Sequence, residues 1–430
     1  MQYTAYKYRM YPSKNQEVLL AKTFGCVRYV YNRGLALKMA AYEKDKKGLS
    51  VFTVTTEMTK WKDCEETKWL SEVNSQALQM SLRFLDAAYT NFFKKRAAFP
   101  KFKSKHDNHQ GFCNPQSTVV SWEDGKIFIP KFKGGIKTVL HRKFDGKIKS
   151  SFVSKTPSGK YFISVLVETN MDNPKYKKPK EDKTLGIDLG IKDFATFSNG
   201  ETVKNPRHLK KQQKALKRAQ RKLSRKKKGS KNREKQRKIV ARKHEKVANS
   251  RKDFLHKVTA NIVKSQDYTS IAIEDLDVAD MLRKGKKNKL SRSIADAGWG
   301  MFRTFLTYKC ERSGKNLLVI GRFEPSSKLC SCGFLNDSLT LKDREWDCPN
   351  CKTHHKRDEL AAQNIKRFAF CKQNTKKDSP LENTRKNSAL PNANKNLVSQ
   401  ELREPSRKTK TPFESDVSRS LKKEASTALA

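Results

Sequence analysis

The sequence predicts a multidomain α/β protein, and three observations carry that prediction. Two acids, Asp188 and Glu274, each close a short apolar run that reads as a buried strand. A third acid, Asp358, opens a stretch with helical spacing, and four cysteines (Cys330, Cys332, Cys348, Cys351) lie between the second and third acids. Ahead of these, an alternating strand is followed by helix-spaced stretches and then by short strands. A chain of 430 residues has room for two or three such domains.

Residues 1–12 alternate as one strand, stopped by Pro12. Residues 15–45 carry helix-spaced Leu19, Leu20, Phe24, Val27, Val30, Tyr31 and Leu35. Residues 71–98 do the same with Val73, Ala77, Met80, Leu82, Leu85, Tyr89, Phe92 and Phe93. Residues 53–69 have no clear period. The expectation is a helical unit, 13–98, inserted after the first strand. From 99 to 172 short strands (126–130, 138–140, 161–167) alternate with Asp-Gly, Gly-Gly and Pro-Ser-Gly turns. They suggest a small β-barrel to which the first strand returns. Residues 173–183, rich in Pro and Lys, read as a linker.

A strand at 185–189 is followed by a strand pair turning at Asn199-Gly200. Residues 204–252 hold 23 Lys or Arg against Glu234 and Glu245. Through this charge runs a sparse stripe of Leu209, Leu216, Leu223, Ile239, Val247, Phe254, Val258 and Ile262, broken at Gly229-Ser230. Two antiparallel helices fit the stripe better than a disordered basic arm. A strand at 270–273, a Lys-rich loop at 283–289, a helix around Trp299, Phe302, Phe305, Leu306 and Tyr308, a strand at 316–320 and a helix at 358–370 follow. Residues 372–430 have few large apolar side chains and read as a disordered basic tail.

The formal net charge of +49 implies a polyanionic partner bound largely by counterion release. An anionic membrane is the rival, but no apolar run approaches transmembrane length and no signal peptide opens the chain. The other five cysteines, Cys26, Cys64, Cys113, Cys310 and Cys371, are scattered, which suits a reducing cytoplasm better than a disulfide framework.

Fifteen residues separate Cys332 from Cys348, a gap that fits a four-cysteine zinc ribbon over 326–355. Such a closed thiolate set would be structural. The first pair, with only Ser331 between its cysteines, is one residue short of the usual spacing. His354 or His355 as a substitute ligand, and a chance grouping of reduced cysteines, stay open. The acids taken singly are also ambiguous. Asp188 could cap a turn, Asp358 could sit in a first helical turn favoured by the dipole, and Glu274 has Asp275 and Asp277 as neighbours. Together, a strand–hairpin core, a helical interruption, a second acid-ended strand and a late acid-bearing helix describe a ribonuclease H-like fold. Its carboxylates suit two Mg²⁺ ions, which take oxygen ligands and grip a scissile phosphate.

Five segments in order resemble the TnpB (OrfB) family of insertion-sequence proteins, relatives of compact type V CRISPR effector nucleases. They are Gly186-Ile-Asp-Leu-Gly190, Ile273-Glu-Asp-Leu276, Pro325-Ser-Ser-Lys-Leu-Cys-Ser-Cys-Gly333, Cys348-Pro-Asn-Cys351 and Arg357-Asp-Glu-Leu-Ala-Ala-Gln-Asn-Ile365. Tyr8-Arg-Met-Tyr-Pro12 and Phe99-Pro-Lys-Phe-Lys-Ser-Lys105 are typical too, so the resemblance covers roughly 1–370. It implies a RuvC nuclease domain (184–325 and 356–371) with the inserted ribbon, a wedge-like β-barrel (1–12 and 99–172) and a helical recognition domain (13–98). The implied activity is RNA-guided, Mg²⁺-dependent cleavage of double-stranded DNA beside a short motif, in a prokaryotic cytoplasm. The guide would be a structured RNA from the element's end.

By motif, Asp188, Glu274 and Asp358 would be the catalytic, Mg²⁺-binding acids, and Cys330, Cys332, Cys348 and Cys351 the zinc ligands. The basic helical pair would hold nucleic acid through Lys210, Lys211, Lys214, Lys217, Arg218, Arg221, Arg225, Arg237 and Arg242, leaving sequence choice to base pairing. Tyr29, Tyr31, Phe92 and Phe93 could stack on nucleotides, although helical spacing favours core. Two departures stand out: the short first cysteine pair, and Leu360 where the family usually has Asn. A non-cleaving RNA-guided repressor and a metal-dependent transposase are the rival functions. A plain zinc-ribbon DNA-binding protein leaves the acids unexplained.

Overall fold

The computed structural model describes residues 2–107, 109–169, 174–284, 290–340 and 343–371. The tail expected at 372–430 and residues 285–289 of the Lys-rich loop lie outside them. Two compact units divide the chain, one ending at Asp172 and the other beginning at Asn173.

In the first unit, strand β1 (Gln2–Tyr11) leads into helix α1 (Lys14–Asp45). A capping box opens that helix: the Gln16 backbone N–H donates to Ser13 Oγ, and Gln16 Oε1 accepts from the Ser13 N–H. Helix α2 (Val51–Asp63), a 3₁₀ turn (Glu65–Glu72) and helix α3 (Ser75–Phe93) follow. The region that lacked a clear period is thus helical. Its buried face is only Val54, Met58 and Trp61, hidden among threonines.

Strands β2 (Gln110–Asn114), β3 (Val119–Ser121), β4 (Lys126–Phe128), β5 (Ile136–Val139), β6 (Lys147–Lys155) and β7 (Tyr161–Thr169) complete the unit. They form an antiparallel sheet in the order β2-β6-β7-β1-β5-β4-β3. As expected, the first strand returns, pairing with β7 from Gln2↔Thr169 to Met10↔Tyr161. Among the described residues the ladder has edges at β2 and β3 instead of closing on itself as a barrel. Helices α1, α2 and α3 contribute Leu20, Phe24, Val27, Met58, Leu78 and Leu82 to one core with Tyr8, Met10, Ile163 and Val165 of the sheet. Tyr29 and Tyr31 are buried, as helical spacing suggested, but Phe93 is exposed.

The second unit is built on β8 (Thr184–Leu189), β9 (Asp193–Phe197), β10 (Thr202–Lys204), then α4 (His208–Ser224) and α5 (Lys231–Lys264). There follow β11 (Ser270–Glu274), α6 (Val278–Lys284), α7 (Ser291–Ala297), α8 (Trp299–Ser313) and β12 (Asn316–Ile320). Strands β13 (Glu345–Asp347) and β14 (His354–Lys356) and helix α9 (Arg357–Cys371) end it. Arg283 and Lys284, read from sequence as loop, form the last turn of α6.

The main sheet runs β10-β9-β8-β11-β12, with β8, β11 and β12 mutually parallel and β9 antiparallel to both of its neighbours, β8 and β10. Both faces are covered, which is why β8 and β11 read as unbroken apolar runs. Ile187, Ile271 and Ile273 pack in one cluster with Leu255 and Ile262 of α5 and Phe302 and Leu306 of α8. On the other face Ala272 and Ile320 meet Ile365 of α9. Helices α4 and α5 pack on each other through Leu216, Ala219 and Val240, and Ser230 caps α5. One stripe position is corrected: Val240 is buried while Ile239, the residue picked from sequence, faces solvent. A one-residue error is easy here because two apolar β-branched residues stand side by side.

Candidate active site and thiol cluster

Gly186 sets the position of the first acid. A Cβ there would lie 2.1 Å from the carbonyl oxygen of Ala362, so β8 and α9 approach as only glycine permits. Side chains alternate along a strand, so Asp188, two residues on, shares the α9 face. Ala272 packs with Ile365 on that same face, and Glu274 follows two residues later. Asp358 lies in the first turn of α9 itself. Parallel pairing of β8 with β11, Ile187 opposite Ile273, places the two strand acids at neighbouring strand ends.

The electrostatics report the same convergence. Burial, then the charges of Asp358 and Glu274, push the Asp188 carboxyl up to about 7. The Leu189 backbone amide and Arg357 pull weakly the other way. Glu274 is also raised, by burial and then by Asp275. Asp275 is different: hydrogen bonds from Arg303 and Arg322 hold it below the usual carboxylate range. Arg322 also reaches Asp277 at 3.0 Å. Glu274 bears on Asp188, whereas Asp275 and Asp277 are neutralised by arginines. Asp358 is held by Arg344, whose Nη1 lies 3.1 Å from one carboxylate oxygen and 3.4 Å from the other. Neither Arg344 nor Arg357 was singled out in the sequence, where two more cations in so basic a chain carry no signal.

Three carboxylates, one of them pushed toward neutrality by burial and then by its neighbours, offer the hard oxygen donors that a divalent cation takes. Mg²⁺ fits the chemistry of these side chains, since no histidine or thiol is among them.

The four sulfurs of Cys330, Cys332, Cys348 and Cys351 lie within 4.8 Å of one another. Cys330 to Cys351 is 3.5 Å and Cys332 to Cys348 is 3.6 Å, too far for disulfides. Tetrahedral Zn–S bonds of about 2.3 Å would set sulfurs about 3.8 Å apart, so zinc fits. The short first pair closes because Gly333, at φ +90°, turns the chain sharply. The Gly333 N–H donates to the Cys330 carbonyl, and the Cys330 N–H to that of Phe334. Of the two histidines, His354 is exposed and bonds Asp347 at 2.8 Å. His355 is buried with Nε2 3.0 Å from Cys330 Sγ, suited to donate to that sulfur.

Leu360 also gains a physical reason. It is buried with Cys330, Trp346 and Cys348, so α9 carries an acid at Asp358 and an apolar anchor for the thiol lobe two residues later. Asn364 secures the same junction, donating to the Ser326 and Leu329 carbonyls at 2.7 Å each.

All nine cations singled out on the basic pair are exposed: Lys210, Lys211, Lys214, Lys217, Arg218 and Arg221 on α4, Arg225 at its end, and Arg237 and Arg242 on α5. Other arginines there are structural. Arg233 caps the Leu223 and Lys226 carbonyls at 2.8 Å, and Arg251 grips Asp296.

A curated relative from Streptomyces pristinaespiralis, named "Putative RNA-guided DNA endonuclease", is 38% identical over 84% of this chain and 88% of its own length. The chain belongs to the TnpB (OrfB) family. InsQ of Escherichia coli K12, given the same name, is 34% identical over 84% of this chain and 91% of its own. The OrfB_IS605 model, described as "Probable transposase", matches residues 162–285, and the family's helix-turn-helix model matches 1–47. A Cas12f1-like TNB domain model matches 299–365, the span that contains the thiol cluster. A solved Cas12f1–sgRNA–target DNA complex shares the fold with a TM-score of 0.51, at 14% identity over 82% of this chain and 83% of that one. Among the described residues, no helix is long and apolar enough to cross a membrane.

Proposed function

We propose that this protein is a transposon-encoded, RNA-guided DNA endonuclease with a RuvC-type site at Asp188, Glu274 and Asp358. The observation that carries the reading is the placing of three acids at the α9 face of the sheet, where burial and then the charges of Asp358 and Glu274 raise Asp188 to about 7. Strand order and acid placement support a ribonuclease H-like nuclease domain (184–325 and 356–371) interrupted by the ribbon (326–355). The antiparallel sheet and its helical insertion are read as wedge-like and recognition domains, and the chain as working in a prokaryotic cytoplasm.

Asp188, Glu274 and Asp358 would hold two Mg²⁺ ions, whose chemistry would be to activate water and to neutralise charge on the scissile phosphate. Asp188 must lose its proton to serve, and Arg357 favours that ionised form. Arg344 orients Asp358 from outside. Arg303 and Arg322 keep Asp275 and Asp277 engaged elsewhere, so the local negative charge is confined to three acids. The exposed cations of α4 and α5 would hold an RNA–DNA duplex by its backbone, leaving target choice to pairing. Cys330, Cys332, Cys348 and Cys351 would hold zinc with no open position, so its role would be to fold the ribbon.

The test is cleavage of a plasmid carrying a match to the copurified RNA, in Mg²⁺ and in EDTA. Breaks that need Mg²⁺ and vanish in Asp188→Ala support the reading, and equal cleavage by that variant defeats the assignment. Guided binding without breaks would make the protein a repressor. The family description as a transposase gives the other reading, which requires joined strand-transfer products.

A further inference from the structure

The four phenylalanines at the end of α3 and just beyond it have no role in the site described above. Residues 91–105 carry Phe92, Phe93, Phe99 and Phe102 with six cations and no carboxylate. The rings of Tyr89, Phe92, Phe93 and Phe99 touch one another, with centroids 5.3 Å apart for both Phe92–Phe93 and Phe92–Phe99. This is not a core: Phe93 is 64% exposed, and Phe99 and Phe102 are each 42% exposed. Contiguous exposed aromatic surface marks a binding site more often than isolated exposed rings do.

The segment is also held rigid without regular structure. Asn32, buried on α1, donates from Nδ2 to the Lys103 carbonyl at 2.9 Å, and its Oδ1 accepts from the Lys103 N–H at 2.8 Å. Lys103 Nζ lies 3.8 Å from the centre of the buried Tyr31 ring. Clipped at Lys103, the chain leaves Phe99 and Phe102 exposed, with Lys101 between them and Lys105 just beyond.

We infer that Phe93, Phe99 and Phe102 form a platform that stacks unpaired bases of the bound RNA, while Lys94, Lys95, Arg96, Lys101 and Lys105 hold its phosphates. Flat apolar faces set among uncompensated cations complement a polymer offering both free bases and phosphates. Duplex DNA offers the phosphates but keeps its base faces stacked inside, whereas RNA loops and junctions leave theirs free. The inference rests on the RNA-guided reading and adds a base-stacking site remote in sequence from the acids and the basic helices.

The experiment compares full-length wild type with Phe93→Ala/Phe102→Ala. Fluorescence anisotropy would follow an unstructured RNA 15-mer, a blunt RNA duplex and a DNA 15-mer of the same sequence. The expected result is roughly a ten- to hundredfold loss on the single-stranded RNA, given typical stacking energies. Duplex binding should be nearly unchanged, and Phe93→Trp/Phe102→Trp should retain affinity. An equal loss on duplex RNA, a loss confined to single-stranded DNA, or no loss at all would overturn the platform. Wild type that holds no RNA in any form would instead defeat the RNA-guided reading, so the two failures are distinguishable. Circular dichroism of the variants guards against misfolding, because all the substituted rings are exposed.

Discussion

Two groups of metal-type ligands belong to the second unit, and they are built in opposite ways. The carboxylates of Asp188, Glu274 and Asp358 are carried by β8, β11 and α9, elements locked by apolar packing on both sheet faces. The thiols of Cys330, Cys332, Cys348 and Cys351 lie in a lobe whose apolar core is little more than Trp346, Phe334, Leu339 and Leu360. The first group is positioned by the fold. The second must largely make its own fold, because so small a core cannot offset chain entropy alone. The difference teaches that loss of metal should silence one site and unfold the other.

The largest effect expected is on catalysis. Asp188→Ala should lower cleavage by on the order of a thousandfold, the equivalent of several kcal/mol of transition-state stabilisation. Zinc content measured by mass spectrometry should not change; zinc loss in this variant would break the contrast between the sites. Next comes Cys348→Ser at a buried ligand, which should abolish zinc retention and remove several kcal/mol from the ribbon. Hydrogen exchange should then show fast amides in β13 and β14 while β8 and β11 stay protected. Slow exchange in the ribbon would mean that its apolar residues suffice.

A smaller effect follows from Asp188 and pH. Its folded value of about 7 lies above the usual 3.8, so the folded state binds this proton more tightly. The stability it gives is complete below about 3.8 and is lost as pH rises through about 7. In EDTA, Tm should therefore fall between pH 5 and pH 8, and Asp188→Asn should flatten that fall. Added Mg²⁺ should restore the wild type at pH 8 by compensating the carboxylates. An identical pH slope in the variant would remove Asp188 as the cause. The smallest effect is expected for Arg344→Ala, which breaks a half-exposed ion pair with Asp358 and should cost less than about 1 kcal/mol in urea denaturation.

Legibility in the sequence followed the same divide between packed and solvated structure. Strands β8, β11 and β12 stood out because helices bury both faces, leaving continuous apolar runs. The three acids could be listed from sequence, but Glu274 could be preferred to Asp275 only with Arg303 and Arg322 in place across the fold. Strand β6 was missed because polar Ser151 is buried and apolar Phe152 exposed, which breaks the alternation, and β2 because it has only five residues with Gln, Gly and Asn among them. Helix α7 is only seven residues long, too short to show a period. The cysteine cluster was legible despite its short first pair, because the fifteen-residue gap and the spacing of Cys348 and Cys351 carry the pattern.

The placement of Asp358 on the last described helix has a consequence for synthesis. It follows Asp188 by 170 residues, and the ribbon must form in between. At roughly 5–20 residues per second, a nascent chain spends on the order of ten to thirty seconds with its first acid made and its third still absent. The three acids are therefore not assembled while the polypeptide is still growing, and they come together only when α9 packs against Gly186.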